Sequence, residues 1–262
     1  MKYDPHQSND RLMADTPHAS GAGSARRGRF IVLEGIDGAG TTTQLNVLRD
    51  HYRRAGRRAL FTHEPSDGPV GMLIRLALQK RLVGGNFDLH DPSDPRPAAA
   101  DFDAQALALL FAADRADHVA TQVRPNLDAG RDVICDRYLL STLAYQGQHA
   151  DLEWLIEINQ PAIVPDLTVF LDVPPAEAEG RMRGSRWKKE IFETPEQQRR
   201  VRSRYFDLIQ RYIPRVGRVE ILDASRPPAE VSTDLLALVD TFLDTSGDGP
   251  ATGDERAAGG VV

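Results

Sequence analysis

The sequence has one cysteine and no long apolar run. Cys135 has no second cysteine with which to form a disulfide, and it lies in a short apolar segment typical of a buried side chain. We therefore expect a reducing compartment, the cytoplasm. No apolar run approaches the ~20 residues of a membrane-spanning helix, and residues 1–28 lack the apolar core of a signal peptide. These absences predict a soluble cytoplasmic protein with no membrane partner.

An excess of basic residues is also missing. The net charge of −6 argues against a general nucleic-acid binder, so we expect no nucleic-acid partner. With 41% hydrophobic and 27% charged residues, the 262-residue chain has enough apolar material for one substantial core. We expect a single domain over residues 29–245. The segments 1–28 and 246–262 are polar or small and have no periodicity, which predicts disordered tails.

Short apolar or β-branched runs alternate with helical patterns along the domain. Such runs are typical of parallel strands that are covered on both faces. Their order with the helices predicts an α/β fold, a doubly wound five-stranded parallel sheet with helices on both faces, in which ligands bind at the carboxyl ends of the strands. The predicted strands are Phe30–Glu34, Ala59–Thr62, Val133–Asp136, Thr168–Val173 and Val219–Leu222.

Helices are predicted where apolar residues recur at spacings of three and four. The connection Arg81–Ala100 is rich in glycine and proline and carries no recognisable chemistry. The predicted helices cover residues 42–55, 69–80, 101–129, 138–147, 151–160, 175–183, 195–212 and 227–245.

A glycine-rich loop follows the first strand. Its glycines allow backbone N–H groups to point inward, and the helix that follows adds its positive dipole end, which together favour anion binding. The spacing Gly35-x4-Gly40 is that of a Walker A phosphate loop, but Thr41 stands where the lysine is expected, while Thr42 keeps the Mg²⁺-binding hydroxyl. A glycine-rich turn without a nucleotide remains the alternative for this loop alone. The candidate ATP-binding residues are Gly35, Ile36, Asp37, Gly38, Ala39, Gly40, Thr41, Thr42 and Thr43.

The third strand ends in a second candidate site. Asp136 can hold Mg²⁺ through water, and Arg137 can bind a phosphate with two parallel hydrogen bonds. On the short helix that follows, Thr142 and Gln146 are four residues apart and share a face. An ion pair of Asp136 with Arg137 that merely caps the strand is the structural alternative.

Phe111 and Arg115 share one face of the helix predicted over 101–129. A ring and a guanidinium so placed can stack on a base and contact its edge. Phe111 could equally belong to the core, because neighbouring apolar residues continue the same stripe.

Taken together, these segments resemble thymidylate kinases from about Phe30 to about Leu243. Glu34–Gln44 resembles their phosphate loop, Thr62–Pro65 their TREP turn, and Leu110–Arg115 their LFAADR segment. Asp136–Gly147 is similar to the DRYxxSxxAYQG signature, and the PDL and LDV motifs at 165–167 and 171–173 also match. Two positions depart from the family pattern, because His63 replaces the arginine of the turn and Thr41 replaces the Walker lysine.

The resemblance implies a role for each matching residue. Phe111 stacks on thymine and Arg115 reaches its O4, while Thr142 and Gln146 contact the N3 edge and Tyr145 crowds a ribose 2′-hydroxyl. Arg75 and Arg137 bind the phosphate of dTMP. The implied catalytic residues are Asp37, Asp136, Arg137, Arg183 and Arg186; the implied metal ligands are Thr42 and Asp136; and the substrate site comprises Glu64, Arg75, Phe111, Arg115, Arg137, Thr142, Tyr145 and Gln146.

A basic cluster at Arg181–Lys189 resembles the lid of this family, expected at about 181–194. A solvated basic loop is the alternative interpretation of this charge run. Because the phosphate loop has no arginine, the resemblance implies that the lid supplies the catalytic one, and Arg183 and Arg186 are equally good candidates. We expect a lid cation to replace the charge of the absent lysine as well.

The expected reaction transfers the γ-phosphoryl group of ATP to dTMP with Mg²⁺, without a covalent intermediate. The resemblance alone implies a homodimer. Three alternatives stay open: a kinase for another deoxynucleoside monophosphate, a catalytically impaired nucleotide-binding or regulatory paralogue, and an interaction protein without a nucleotide site.

Overall fold

The computed structural model describes residues 26–79, 81–82, 102–183, 194–211 and 216–245. Its five-stranded sheet is parallel throughout and has the order β2-β3-β1-β4-β5. The strands are β1 (Phe30–Glu34), β2 (Ala59–His63), β3 (Asp132–Asp136), β4 (Leu167–Asp172) and β5 (Arg218–Asp223).

Every residue of β1 is buried, and so are nearly all residues of β3 and β4. Since successive side chains on a strand point to opposite faces, continuous burial means that helices cover the sheet on both sides. The predicted doubly wound α/β fold is therefore confirmed. The helices are α1 (Thr41–Arg54), α2 (Pro69–Leu78), α3 (Ala104–His118), α4 (Arg124–Asp128), α5 (Leu139–Tyr145), α6 (Leu152–Ile158), α7 (Pro175–Arg183), α8 (Pro195–Arg211) and α9 (Pro228–Thr245).

The long helix predicted over 101–129 differs from the structure at its start and in its middle. Asp103 caps α3 by accepting the N–H groups of Gln105 and Ala106, so the helix begins at Ala104. A π-helical turn, Val119–Val123, separates α3 from α4. Pro125 lies in the first turn of α4, and its lack of an N–H prevents a regular α-helical hydrogen bond there.

The helix predicted over 138–147 consists of α5 and a following 3-10 turn, Gln146–Gln148.

Among the described residues, no helix is long and apolar enough to cross a bilayer.

The central strand β1 lies between β3 and β4. After β1 the chain forms β2 and β3 on one side of it, and then crosses to the other side to form β4 and β5. The carboxyl ends of β1 and β3 are therefore adjacent, with the backbone of Leu33 paired with that of Asp136. In open parallel sheets, this reversal of strand order opens a crevice for ligands. The loop after β1 and the residues after β3 both line it.

Candidate active site

The phosphate loop connects β1 to α1 and depends on glycine at two positions. Gly38 and Gly40 adopt positive φ angles of 83° and 96°, which side chains disfavour. A Cβ at Gly38 would also lie 2.5 Å from the carbonyl oxygen of Ala178. The loop borders a cavity of about 390 Å³, whose lining includes seven of the nine predicted ATP-binding residues, Asp37, Gly38, Ala39, Gly40, Thr41, Thr42 and Thr43, with Gly35 and Ile36 at the base of the loop.

The two predicted metal ligands are in direct contact. Thr42 Oγ1 donates a hydrogen bond to Asp136 Oδ2 at 2.6 Å. The other carboxylate oxygen, Asp136 Oδ1, is buried and has no hydrogen-bond partner among the described residues. A hydroxyl beside a carboxylate with a spare buried oxygen is an oxygen-ligand set of the kind Mg²⁺ prefers, either directly or through water. These residues thus fit the metal that the family implies.

Thr41, at the lysine position, is buried in the wall of the same cavity. Three arginines from other parts of the fold also line it, namely Arg137, Arg181 and Arg226. Arg181 donates to the carbonyl of Ala224 at 2.7 Å, and Arg226 pairs with the carboxylate of Asp234. Guanidinium groups thus line the cavity although its loop lacks the lysine, and two of them, those of Arg137 and Arg226, pair with carboxylates.

Arg137 connects the loop to the region after β3. Its guanidinium donates to Asp37 Oδ1 at 2.6 Å and lies 5.3 Å from the centre of the Tyr145 ring. The Asp37 N–H donates to the Tyr145 hydroxyl at 3.1 Å. Arg137 has a positive φ of 68°, unusual for a residue with a side chain and a form of strain found at functional sites.

A second cavity, of about 450 Å³, adjoins the first and shares Asp37 and Arg137 with it. Its walls are largely apolar, with a few convergent polar groups, as is usual for small-molecule sites. Seven of the eight residues predicted to bind the acceptor line it: Glu64, Phe111, Arg115, Arg137, Thr142, Tyr145 and Gln146.

Arg115 is held in this wall by several partners. Its guanidinium lies 2.8 Å from Glu64 Oε2, donates to Thr142 Oγ1 at 2.9 Å and bonds to Asn159. The Arg115 and Glu64 side chains are only 2% and 3% exposed. The other Glu64 oxygen lies 3.1 Å from Nδ1 of His118. Buried charges in such a network are fixed in place before a ligand arrives.

Arg75, the eighth predicted acceptor residue, is outside the lining of both cavities. Its guanidinium donates to the carbonyls of Pro65 and Ser66, each at 2.7 Å, and lies 3.3 Å from Asp67. It therefore holds the turn after β2. His63 stands in that turn where the family pattern has an arginine, and its side chain lies 3.4 Å from Asp67 and is 44% exposed.

The two lid candidates fall at the limit of the described chain. Arg183 is the last residue of α7, and Arg186 lies outside the described residues, as does the lid segment from 184 to 193.

Glu34, at the end of β1, contacts residues of the site but received no role from the sequence, although the segment Glu34–Gln44 begins with it. Its carboxylate accepts hydrogen bonds from the backbone N–H and hydroxyl of Ser141 and from the N–H of Tyr138. The hydroxyl of Tyr205 lies 3.1 Å from it. Burial raises the pKa of Glu34, and the Ser141 bonds and the charge of Arg137 oppose that shift. Its sequence signals are its place as the first residue of the Glu34–Gln44 motif and the presence of an acid at the end of an otherwise apolar strand.

Comparison with known proteins identifies the family of this chain. A family model described as thymidylate kinase matches residues 33–87 and 97–235. A "Probable thymidylate kinase" of Thermococcus kodakarensis is 40% identical over 215 residues, covering 82% of this chain and 98% of that protein. A "Thymidylate kinase" of Pelotomaculum thermopropionicum is 38% identical over 225 residues, covering 83% and 95%. A "Thymidylate kinase" of Chromobacterium violaceum is also 38% identical over 225 residues, covering 84% and 97%. Because this family model matches most of the chain and near full-length relatives are 38% to 40% identical, the chain belongs to the thymidylate kinase family.

Proposed function

We propose that this protein transfers the γ-phosphoryl group of ATP to dTMP, giving ADP and dTDP for dTTP synthesis. The observation that carries the proposal is the pair of adjoining cavities that share Asp37 and Arg137. One cavity is bordered by a phosphate loop and the other by groups suited to a pyrimidine, so a donor and an acceptor phosphate can meet at the shared residues. Direct transfer needs no covalent intermediate on the protein.

The acceptor cavity suits a pyrimidine nucleotide. Phe111 offers an aromatic face for stacking, and Arg115 brings a buried cation to the same wall. A guanidinium donates hydrogen bonds only, so it favours the O4 carbonyl of thymine over the amino group of cytosine. The Thr142 hydroxyl and the Gln146 amide can address the N3 edge, and Tyr145 restricts the space for a ribose 2′-hydroxyl.

The donor cavity suits the phosphates of ATP. The N–H groups of the loop and the amino end of α1 provide partial positive charge, and Arg137 lies at the junction with the acceptor. Thr42 and Asp136 are the residues that would hold Mg²⁺, which supplies charge neutralisation to the transferring phosphates when it is bound.

In this scheme an oxygen of the dTMP phosphate attacks the γ-phosphorus, and the bond from that phosphorus to the bridging oxygen of ADP breaks. Arg137 neutralises charge where the two phosphates meet, and Asp37 fixes the direction of its guanidinium at 2.6 Å. The side chains thus work by positioning and by electrostatic stabilisation, the two contributions on which phosphoryl transfer mainly depends.

The charge usually supplied by the Walker lysine must come from elsewhere. Among the described cations that line the loop cavity, Arg181 has neutral carbonyl groups as its closest contacts. The carboxylate of Glu177 lies farther away, at 3.9 Å. Its positive charge is therefore less neutralised than that of Arg226, which faces Asp223, Glu230 and Asp234. Arg181 is our candidate for part of the missing charge.

We also propose that the working form is a homodimer in the cytoplasm, built from the domain 29–245. Met72 on α2 and Leu109 on α3 are 52% and 49% exposed, and these two helices pack against each other. Large apolar side chains exposed on adjacent helices favour burial against a second copy. Light scattering of Met72→Glu with Leu109→Glu should give half the mass of the wild type.

The decisive test is ADP and dTDP formation by the wild type with ATP and Mg²⁺, comparing dTMP, dUMP and dCMP as acceptors. We expect dTMP to have the highest kcat/KM and dCMP the lowest, since Arg115 cannot accept a hydrogen bond from an amino group. A faster reaction with dCMP would overturn the substrate assignment. Binding of both nucleotides without dTDP formation would indicate a catalytically impaired paralogue.

Arg181→Ala, tested alone and with Thr41→Lys, examines the missing charge. If Arg181 compensates for the lysine, Arg181→Ala should lower kcat more in the natural background than in the Thr41→Lys background. Equal losses in both backgrounds would contradict this role. Arg218→Ala is the matched control, because its guanidinium pairs with Glu220 on the exposed edge strand β5.

A further inference from the structure

Glu34 is the centre of a buried hydrogen-bonded cluster beside the second cavity, which its partner Ser141 lines. The Glu34 side chain is fully buried, yet its carboxylate has four neighbouring donors. Oε1 accepts the N–H groups of Tyr138 and Ser141 at 3.0 and 3.2 Å, and Oε2 accepts the Ser141 hydroxyl at 2.5 Å with the Tyr205 hydroxyl at 3.1 Å. These donors match the acceptor capacity of a carboxylate, about four lone-pair sites.

The cluster joins three parts of the chain that are far apart in sequence. Glu34 directly precedes the phosphate loop, Ser141 lies in the first turn of α5, and Tyr205 belongs to α8. The Tyr205 hydroxyl lies 2.8 Å from Ser141 Oγ and 3.3 Å from the carbonyl oxygen of Gly35, the first glycine of the loop. One hydroxyl of α8 therefore contacts both the donor loop and the acceptor helix.

Ring contacts extend this connection to the junction of the cavities. The Tyr205 ring lies 4.8 Å from that of Phe170 and 6.4 Å from that of Tyr145, the latter in an edge-to-face arrangement. Tyr145 in turn accepts the N–H of Asp37. Displacement of Tyr205 would thus be transmitted to the loop directly and to Asp37 through Tyr145.

We propose that Glu34, Ser141 and Tyr205 form a positioning cluster that sets the separation between the donor phosphate loop and the acceptor helix. This inference rests on the proposed kinase function and deepens it. None of the three needs to touch a reacting atom, because the cluster acts through the placement of Gly35 and α5. Transfer demands a near-attack distance, and a misplacement on the order of 1 Å can lower a rate about 100-fold.

Tyr205→Phe is the most informative variant, since it removes one oxygen from the cluster and keeps the ring. Its matched control is Tyr52→Phe. Tyr52 is also fully buried, and its hydroxyl donates to Asp132 Oδ2 at 3.2 Å. Asp132 begins β3, at the end of the strand opposite to Asp136. Each variant loses a contact between a buried tyrosine hydroxyl and a carboxylate, but only the Tyr205 hydroxyl also contacts Ser141 on α5 and Gly35 in the phosphate loop.

Three measurements separate positioning from stability. Steady-state kinetics with ATP and dTMP reports positioning, and the melting temperature reports stability. The third measurement is calorimetric binding of ATP, of dTMP, and of a bisubstrate compound that joins adenosine to thymidine through a phosphate chain. A linked ligand reports the separation of the two half-sites, while the single nucleotides do not.

For Tyr205→Phe we expect kcat and the affinity for the bisubstrate compound to fall roughly 10-fold each, with both KM values and both single-nucleotide affinities within about twofold. Tyr52→Phe should lower the melting temperature similarly and leave kinetics and binding unchanged. Equal kcat and equal bisubstrate affinity in the two variants would overturn the proposal. Ser141→Ala removes another hydroxyl from the cluster and takes the place of Tyr205→Phe if that protein does not fold.

The proposed function can fail separately. A wild type that binds both nucleotides without forming dTDP would refute the kinase reaction, and the bisubstrate comparison would still decide the positioning role. A wild type that binds neither nucleotide would overturn both proposals.

Discussion

The buried pair of Glu64 and Arg115 provides a sharp test of the electrostatics in the acceptor wall. Glu64→Gln keeps the shape of the side chain and removes its charge. The two groups lie 2.8 Å apart with side-chain exposures of 3% and 2%, so the guanidinium loses its only close carboxylate among the described residues. Its remaining hydrogen-bond partners, Thr142 and Asn159, are neutral.

The magnitude follows from this geometry. At 2.8 Å and an effective dielectric constant of about 20, the attraction between two unit charges is about 6 kcal/mol. Removing one partner of a buried pair typically costs about 3–5 kcal/mol, and the amide oxygen of glutamine can retain a hydrogen bond to Arg115, which favours the lower end. For a domain of this size that corresponds to a melting temperature lower by about 6–20 °C.

Urea denaturation followed by circular dichroism measures the loss, with an unchanged slope showing that the midpoint shift reflects stability. The matched control is Glu196→Gln. In the wild type, the Glu196 carboxylate pairs with Arg200 on the surface of α8, where the Glu196 and Arg200 side chains are 62% and 66% exposed. That variant should be indistinguishable from the wild type. A Glu64→Gln protein with the midpoint of the wild type would refute the reasoning, because the charge of Arg115 would then not depend on Glu64.

Three further predictions concern the base, the metal and a buried acid. Phe111→Ala should raise the KM for dTMP about 5- to 150-fold, from the loss of about 1–3 kcal/mol of stacking, without changing the KM for ATP; a KM for dTMP within error of the wild type would exclude stacking. Asp136→Asn should raise the half-saturating Mg²⁺ concentration by about 10- to 100-fold in an activity titration, and an unchanged titration curve would remove Asp136 from the metal site. Burial raises the pKa of Glu34, so the folded state keeps the Glu34 proton to a higher pH than the unfolded state does. The contribution of Glu34 to the free energy of unfolding is therefore fully present below the ordinary glutamate pKa and is lost as pH rises through the raised pKa. Urea denaturation from about pH 4 to about pH 8 measures the free energy of unfolding of the wild type minus that of Glu34→Gln, and this difference should decline as pH rises. A difference that grows with pH would contradict the direction of the pKa shift.

The sheet could be predicted from the sequence because its strands are buried on both faces. A continuous apolar run as short as Phe30–Leu33, with a glycine soon after it, favours a buried strand over a helix, which needs a longer segment. Helix ends were less predictable, since they depend on single contacts. The start of α3 is fixed by the carboxylate of Asp103, and the π-helical turn precedes Pro125, which local periodicity does not reveal.

Phe111, Arg115, Thr142 and Tyr145 could be predicted to lie together, because they belong to contiguous motifs on α3 and α5, and all four line the second cavity. Their roles in binding stay predictions. Glu34 and Tyr205 could not be predicted to lie together, because their contact spans 171 residues and arises only when α8 folds across the end of β1. Arg226, which follows β5, also lines the loop cavity without any sequence signal, whereas Arg181 belongs to the basic cluster Arg181–Lys189 from which a compensating cation was expected. The phosphate-binding role implied for Arg75 stays a prediction, and the structure gives this side chain backbone carbonyls as partners.

Arg137 faces both cavities, so if ATP and dTMP bind as proposed, both nucleotides draw on its charge. Two anionic ligands that share one cation are coupled, because filling one cavity changes the free energy of filling the other. Thermodynamic linkage makes this effect reciprocal: the factor by which ATP alters the affinity for dTMP equals the factor by which dTMP alters the affinity for ATP. The stability of the ternary complex therefore does not depend on the order in which the substrates bind. Through the shared arginine, the affinity of each cavity for its ligand depends on whether the other cavity is occupied.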